Sequence, residues 1–146
     1  MITLDERLKA CAEYVSGKGT VCDVGTDHAY LPAYLILSEK CRNAVASDIN
    51  DGPLEFAEQT LNKYKLSDKI KLVKSDGLKN ISPENVSDVI IAGMGGETIS
   101  DILAEAEWLR NGVNLILQPM TRAQGLRKWL YKNGYEIISE RAVSHD

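Results

Sequence analysis

The chain has 146 residues, 44% of them hydrophobic, and a formal net charge of −4. This length predicts one domain with a substantial core, and the negative net charge on its own argues against an anionic partner such as nucleic acid. No apolar run is long enough to cross a bilayer and no signal-peptide pattern is present, so we expect a cytoplasmic protein without a membrane partner. Three separated cysteines without a CxxC pair and only two histidines do not form the pattern of a disulfide framework or a metal site.

Helical and extended patterns alternate along the first half of the chain. Apolar residues at helical spacing from Leu4 to Val15 predict an opening helix, and Thr3 with Glu6 resembles its capping box. The elements expected next are a strand over 21–24, a helix over about 28–38, a strand over 44–46 that ends at Asp48, a helix over 54–64 and a strand over 70–73.

The alternation continues in the second half. A strand over 89–92 ends in a glycine loop over 93–96, and a helix over 99–106, a strand over 115–117, a helix ended by Gly134 and a last strand over 135–138 follow. This order predicts an α/β fold, doubly wound, with a mainly parallel sheet and helices on both faces. Because the last strand has no successor, we expect the C-terminal part of the sheet to be incomplete and residues 1–146 to be one domain of a longer protein.

A glycine turn follows the first predicted strand, where Val24 leads into Gly25. Asp48 ends the next strand, 23 positions after that glycine. In doubly wound sheets this pairing holds an adenosine-containing cofactor, since the glycine admits it to the backbone and the later carboxylate binds the ribose hydroxyls. The pairing therefore predicts an adenosine site at the strand ends.

The turn lacks the second glycine of a dinucleotide site. Its place is taken by Asp27, a carboxylate that would repel a pyrophosphate. The turn therefore favours a cofactor with adenosine and no phosphate, for which S-adenosylmethionine (SAM) is the natural candidate. An NAD-linked dehydrogenase is the alternative that Asp27 disfavours most.

Further candidates for cofactor binding end the other strands. Asp23 would orient the loop or attract the cofactor's ammonium group, Asp76 would accept from the adenine amino group, and Ile49 would pack on the adenine ring. Each residue alone is explained equally well as a helix cap or turn, so the prediction depends on their coincidence at one edge. The remaining candidate contacts are Thr26, Asp27, His28, Gly77 and Gly93.

These residues together resemble the bacterial tRNA (adenine-N1) methyltransferase family, TrmK, which modifies an adenine in the D-arm. The resemblance implies SAM-dependent methyl transfer to N1 of a tRNA adenine. It also implies that a C-terminal helical region helps to grip tRNA, so that binding by this chain alone would be weak or absent. The segments that carry the resemblance are 23–32, 46–49, 75–77, 91–96 and 117–119, of which Asp-His-Ala-Tyr-Leu-Pro and Gly-Met-Gly-Gly are the specific ones.

Three residues are candidates for the chemistry that this family performs. Adenine N1 carries no proton, so attack needs positioning rather than a general base. Asp27 would accept from the adenine amino group as positive charge develops, Tyr30 would stack on the extruded base, and Met94 lies in the glycine loop beside the reactive end.

The residues alone leave two further functions open. One is a methyltransferase for a small molecule or a protein on the same fold. The other is a SAM-binding sensor or scaffold without catalysis. Basic side chains in residues 61–79 and 119–134 do not decide among these functions, because either stretch is explained by a solvated face.

Overall fold

The computed structural model describes residues 2–143 and has five strands that pair in one parallel sheet. The spatial order of the strands is β3-β2-β1-β4-β5, so the chain winds outward in one direction from β1 and then in the other. All five strands end at the same side of the sheet, which we call the carboxyl edge. The strands are β1 (Thr20–Val24), β2 (Ala44–Asp48), β3 (Ile70–Lys74), β4 (Val86–Gly95) and β5 (Asn114–Thr121).

Helices cover both faces of this sheet, and the predicted fold class is confirmed. The first three helices pack on one face, and the last two pack on the other together with a short 3-10 helix over Glu107–Arg110. In the part of the chain that the structure describes, no helix is long and apolar enough to span a membrane. The helices are α1 (Glu6–Glu13), α2 (Tyr30–Leu37), α3 (Asp51–Tyr64), α4 (Gly96–Ala104) and α5 (Ala123–Lys132).

Alternation along the strands divides the core into two layers. In β1, Val21 packs with α1, α2 and α3, whereas Cys22 and Val24 pack with α4 and α5. In β4, Ile90 belongs to the first layer and its neighbour Ile91 to the second. Successive side chains of a strand point to opposite faces, so a nearly continuous apolar run is what a strand with two covered faces requires.

Several predicted details are wrong. The opening helix is capped by Asp5, whose carboxylate accepts from the Leu8 amide at 2.8 Å, because that residue rather than Thr3 precedes the first helical turn. Residues 75–85 join β3 to β4 without a helix, so the alternation is not strict. Residues 135–138 form no strand, and residues 144–146 of the expected C-terminal strand region lie outside the described residues.

The edge of the sheet opposite the carboxyl edge is held together by the buried carboxylate of Asp88. It accepts hydrogen bonds from the amide and hydroxyl of Ser16 at 2.9 Å and from the Gly17 amide at 3.1 Å. The Ser87 hydroxyl at 2.6 Å and the Asn114 side-chain amide at 2.8 Å complete the set. Asp88 thereby ties the loop after α1 to β4 and β5.

A pair of glycines tests how tightly the second layer is packed. A Cβ at Gly96 would lie 2.4 Å from the Arg122 carbonyl oxygen, whereas a Cβ at Gly125 in α5 would meet nothing within 4 Å. We expect Gly96→Ala to lower the free energy of unfolding by about 1–3 kcal/mol through overpacking. The control, Gly125→Ala, should raise that free energy by about 0.5–1 kcal/mol because alanine favours the helix. Urea denaturation of both variants checks this, and equal effects would contradict it.

Candidate cofactor crevice

A crevice of about 350 Å³ opens at the carboxyl edge, between the ends of β1, β2, β3 and β4. Ligands of open α/β sheets bind at this edge, where the strand order reverses. Six of the residues that the sequence nominated line the crevice: Gly25, Asp48, Ile49, Asp76, Gly77 and Met94.

The glycine turn has the backbone form that the sequence predicts. Gly25 has φ 76°, and its amide and that of Thr26 both donate to the Ser47 carbonyl oxygen at 2.9 Å. This bonding fixes the turn to the end of β2. A Cβ at Gly25 would lie 2.6 Å from the terminal methyl of Met94, so the flexible Met94 side chain covers the bare backbone that a cofactor would contact.

A polar group buried beneath the turn lacks a partner of its own. The hydroxyl of Ser47 is buried and has no hydrogen-bond partner among the described residues. Buried polar groups normally find a partner, so this hydroxyl is consistent with a polar ligand above the turn. Burial raises the pKa of the neighbouring Asp23 to about 7; the Thr26 hydroxyl opposes this rise, the Asp48 carboxylate adds to it, and the Arg7 guanidinium opposes it.

The raised pKa of Asp23 predicts a pH dependence of stability. An aspartate has a pKa of about 3.9 when unfolded, so folding costs free energy once the unfolded chain ionises while the buried carboxyl stays protonated. The contribution of Asp23 to stability is therefore full below about pH 4 and falls as pH rises towards about 7. We expect Asp23→Asn to remove this fall in urea denaturation at several pH values. An unchanged decline between pH 4 and 7 would contradict it.

The two carboxylates predicted to bind the nucleoside differ in their surroundings. Asp48 accepts from the Asn50 amide at 3.1 Å and keeps its second oxygen available to the crevice. Asp76 is paired with Lys79 at 3.2 Å, and Lys79 also lies 3.6 Å from Glu105. The pKa of Lys79 is raised by the hydrogen bond from its ammonium to Asp76. An adenine amino group at Asp76 would therefore share its acceptor with this lysine.

One wall of the crevice comes from α4, and the sequence analysis did not predict it. Four side chains at helical spacing face it: Thr98, Asp101, Ile102 and, just beyond the helix, Glu105. Ile102 also lies 3.1 Å from the position of a Cβ at Gly77, so a larger residue at position 77 would crowd the Ile102 side chain. The spacing of these four residues is visible in the sequence, but helical spacing alone does not show that this side of the helix faces a crevice. Within residues 2–143 no cluster of His, Cys, Asp and Glu could hold a metal ion.

Six nominated residues lie outside the crevice walls: Asp23 in β1, Thr26, Asp27 and His28 on the turn that continues from Gly25, Tyr30 at the start of α2, and Gly93 near the end of β4. Asp27 has φ 57°, a backbone form that favours glycine, and its carboxylate is largely exposed, 3.9 Å from His28 Nε2. The expectation that the helix begins near 28 is wrong: α2 begins at Tyr30, and His28 precedes it. Gly93 is the extra residue at a register shift between β4 and β5.

An exposed aromatic cluster, formed by His28, Tyr30 and Phe56, stands beside the turn. The rings of His28 and Tyr30 are nearly parallel, 5.0 Å apart and 7° between planes, and Phe56 lies 4.8 Å from His28. Tyr30 and Phe56 are each about half exposed. Phe56 was missed because it lies on α3, 26 residues from Tyr30, and only the fold brings it there.

A parallel sheet of this strand order, with helices on both faces and a crevice at its carboxyl edge, defines a Rossmann-like fold. The chain belongs to the methyltransferase domain family, whose model matches residues 4–146. It is 39% identical over 146 residues to the tRNA (adenine(22)-N(1))-methyltransferase of Bacillus subtilis, covering 99% of this chain and 61% of that protein. The resemblance to the TrmK family is thereby confirmed, and the chain spans about three fifths of this relative's length.

Solved structures agree with this assignment. The B. subtilis M1A22 tRNA methyltransferase TrmK superposes with a TM-score of 0.95 at 38% identity, covering all of this chain and 63% of that one. A putative tRNA (m1A22) methyltransferase of Streptococcus pneumoniae, in complex with SAM, superposes with a TM-score of 0.93 at 36% identity, covering 98% of this chain and 68% of that one.

Proposed function

We propose that this chain binds SAM in the crevice and transfers its methyl group to N1 of an adenine in tRNA, in the cytoplasm. The observation that carries the proposal is the crevice itself, with Gly25, Asp48 and Asp76 at three strand ends and Asp27 in place of a phosphate-binding glycine. The likeness to the SAM complex of the S. pneumoniae protein and to the tRNA methyltransferase of B. subtilis supports both the cofactor and the substrate.

Three nominated carboxylates bind the cofactor under this proposal. Asp48 holds the ribose diol, Asp76 the adenine amino group and Asp23 the ammonium group of the methionine part. The buried hydroxyl of Ser47 becomes available to the same ligand. SAM supplies a methyl group on a sulfonium, which an incoming lone pair can accept without a metal. Met94 has to leave Gly25 when the cofactor binds.

Positioning of the adenine falls to the turn after Gly25. N1 of adenine has a free lone pair, so the protein has to align it with the methyl group rather than remove a proton. Asp27 accepts a hydrogen bond from the adenine amino group and stabilises the cationic ring that forms. Tyr30, at the open end of the aromatic cluster, stacks on the base once it is extruded from the folded RNA.

The decisive experiment for this function combines the chain, isotope-labelled SAM and unmodified tRNA, followed by mass spectrometry of the nucleosides. We expect label in 1-methyladenosine. Because the chain carries a net negative charge, we propose that its own affinity for tRNA is low. The assay therefore uses low salt and high tRNA concentration. Label confined to the adenine amino group, or to another nucleoside, would contradict the proposed reaction.

A matched variant pair tests the role of Asp27. We propose that Asp27→Ala lowers the methyl-transfer rate and leaves SAM affinity nearly unchanged, since Asp27 does not line the crevice. Asp68→Ala serves as the control, because it removes an exposed carboxylate that is remote in sequence from Asp27. Binding of SAM without transfer to any tRNA by the parent chain would favour the non-catalytic SAM-binding function instead.

A further inference from the structure

The basic residues of the chain are unevenly distributed, and one stretch carries them without acids. Residues 119–134 hold four of the 17 lysines and arginines and none of the 21 acidic residues. Helices α1, α3 and α4 each contain acidic side chains, whereas α5 contains three cations and no acid. Because the chain as a whole is negative, α5 is a local exception, and the cofactor crevice does not account for it.

The lysines of α5 lie on the side of the helix that faces solvent. Leu126 and Leu130 are buried in the second core layer, and Trp129 packs beside them. Exposed residues at helical spacing occupy the opposite side: Gln124, Lys128, Tyr131 and Lys132. We call these four residues, together with Arg122 at the start of the helix, the basic face of α5.

The charge of this face is only partly neutralised by neighbouring acids. Within residues 2–143 the ion pairs of the stretch belong to its arginines: Arg127 Nε lies 2.7 Å from Glu140, and Arg122 Nη1 lies 3.9 Å from Glu97. Lys128 and Lys132, one helical turn apart, therefore present their charges to solvent. The ring of Tyr131 beside them is 85% exposed.

The basic face begins at the glycine loop that ends β4. Gly95 pairs with Thr121 at the end of β5, and a Cβ at Gly96 would lie 2.4 Å from the Arg122 carbonyl oxygen. Because β5 ends at the carboxyl edge, α5 starts there and runs away from it over about 15 Å. Met94, in the same loop, lines the crevice. The basic face is therefore next to the place where the proposed reaction needs the target adenine.

The crevice itself is unsuited to RNA phosphates. Four acidic side chains line it: Asp48, Asp76, Asp101 and Glu105. These acids suit a cationic sulfonium and repel a phosphate. An extruded adenine can enter such a crevice while its backbone stays outside. A surface beside the crevice then has to hold that backbone, and the basic face of α5 has the complementary charge.

A second lysine-rich surface lies at the other side of the sheet and has an explanation of its own. Lys69 and Lys71 are exposed at the start of β3, the outermost strand on that side. Lysines at an edge strand discourage pairing with another chain. The exposed Asp68 precedes them, and Lys74 at the end of the strand pairs with Asp51 at 3.1 Å. This surface therefore provides a matched control for α5.

We propose that the basic face of α5 binds the tRNA beside the target adenine, with Lys128 and Lys132 on phosphates and Tyr131 stacked on an unpaired base. The inference rests on the proposed function, because it takes tRNA as the substrate. Unpaired regions of RNA offer bases to aromatic side chains. Each contact between a lysine and a phosphate releases counterions, so this binding weakens as the salt concentration rises.

A matched pair of double variants tests this surface. Fluorescence anisotropy with labelled, unmodified tRNA at several low salt concentrations measures the affinity and its salt dependence. We expect Lys128→Ala/Lys132→Ala to weaken tRNA binding at least about fivefold and to reduce the slope of log affinity against log salt by about 1.4–1.8. Lys69→Ala/Lys71→Ala makes the same change in net charge and should alter the affinity by less than about twofold.

Two further measurements separate contact from charge and from folding. Tyr131→Ala should weaken tRNA binding at least about threefold with an unchanged salt slope, because stacking releases no counterions. In methyl transfer, Lys128→Ala/Lys132→Ala should raise the KM for tRNA and leave kcat nearly unchanged, since neither lysine lines the crevice. Thermal unfolding establishes that each variant is folded, as expected for exposed positions.

The outcomes separate this inference from the proposed function. Equal weakening by the two double variants, no weakening by the α5 variant, or a parent chain that binds no tRNA at low salt would overturn the role of α5. Calorimetric titration with S-adenosylhomocysteine (SAH) should give the same affinity for the parent and both double variants. A parent that binds tRNA through α5 but puts no label into 1-methyladenosine would overturn the proposed reaction and not this surface.

Discussion

Asp48→Ala is expected to weaken SAH binding by about 10- to 100-fold, since a carboxylate that grips both ribose hydroxyls contributes about 1.5–3 kcal/mol. Asp48 lines the crevice, and the Asn50 amide orients its carboxylate at 3.1 Å. Titration calorimetry with SAH and with methionine separates the two halves of the ligand. The loss should appear for SAH, because methionine has no ribose.

Two controls make this result specific. Asp48→Asn keeps one acceptor of similar shape, so its affinity should lie between those of the parent and Asp48→Ala. Asp51→Ala removes a nearby exposed carboxylate that pairs with Lys74 at 3.1 Å and does not line the crevice, so SAH binding should stay unchanged. Equal losses for Asp48→Ala and Asp51→Ala would mean that general charge, rather than ribose contact, sets the affinity.

Asp88→Ala is expected to lower the free energy of unfolding by about 3 kcal/mol or more, because it leaves several buried donors without an acceptor. These donors come from Ser16, Gly17, Ser87 and Asn114. Urea denaturation monitored by circular dichroism measures the change. Asp68→Ala, at an exposed position, should alter the free energy of unfolding by less than about 0.5 kcal/mol.

Asp88 also predicts how stability falls in acid. Burial alone would raise its pKa, but hydrogen bonds led by that from Ser87 outweigh it, and the pKa lies below the ordinary value. Its contribution is therefore present above about pH 4, where the unfolded carboxyl ionises, and is lost as pH falls through the lower folded pKa. This loss should be absent in Asp88→Asn. If the parent chain and Asp88→Asn lose the same stability at low pH, the loss belongs to other carboxylates.

Strand patterns carry most of the information about the fold. Val21, Cys22 and Val24 read as a buried strand because both faces of a parallel sheet are covered, and the same holds for residues 89–92. The 135–138 segment has a similar local pattern but forms no strand in the structure. Local apolar content does not reveal whether a neighbouring strand is available, so such an error is expected at the margin of a sheet.

Local motifs at the strand ends predicted part of the crevice. The contribution of residues from distant elements could be recognised only in the folded structure. Gly25 follows β1 directly and Asp48 ends β2, so their position at the carboxyl edge could be inferred from alternation alone. Phe56 reaches the region beside the turn from α3, and its neighbour His28 is remote in sequence. The Met94 contact with Gly25 was equally unforeseeable, since it depends on the side chain's orientation.

A crystal structure of the chain with SAH tests the central claim most directly. The account predicts the ribose hydroxyls on Asp48, the adenine ring between Ile49 and Ile102, Met94 displaced from Gly25, and the amino acid extending towards Gly93. SAH bound elsewhere on the surface, or a crevice in which Met94 still covers Gly25 at saturating SAH, would contradict it.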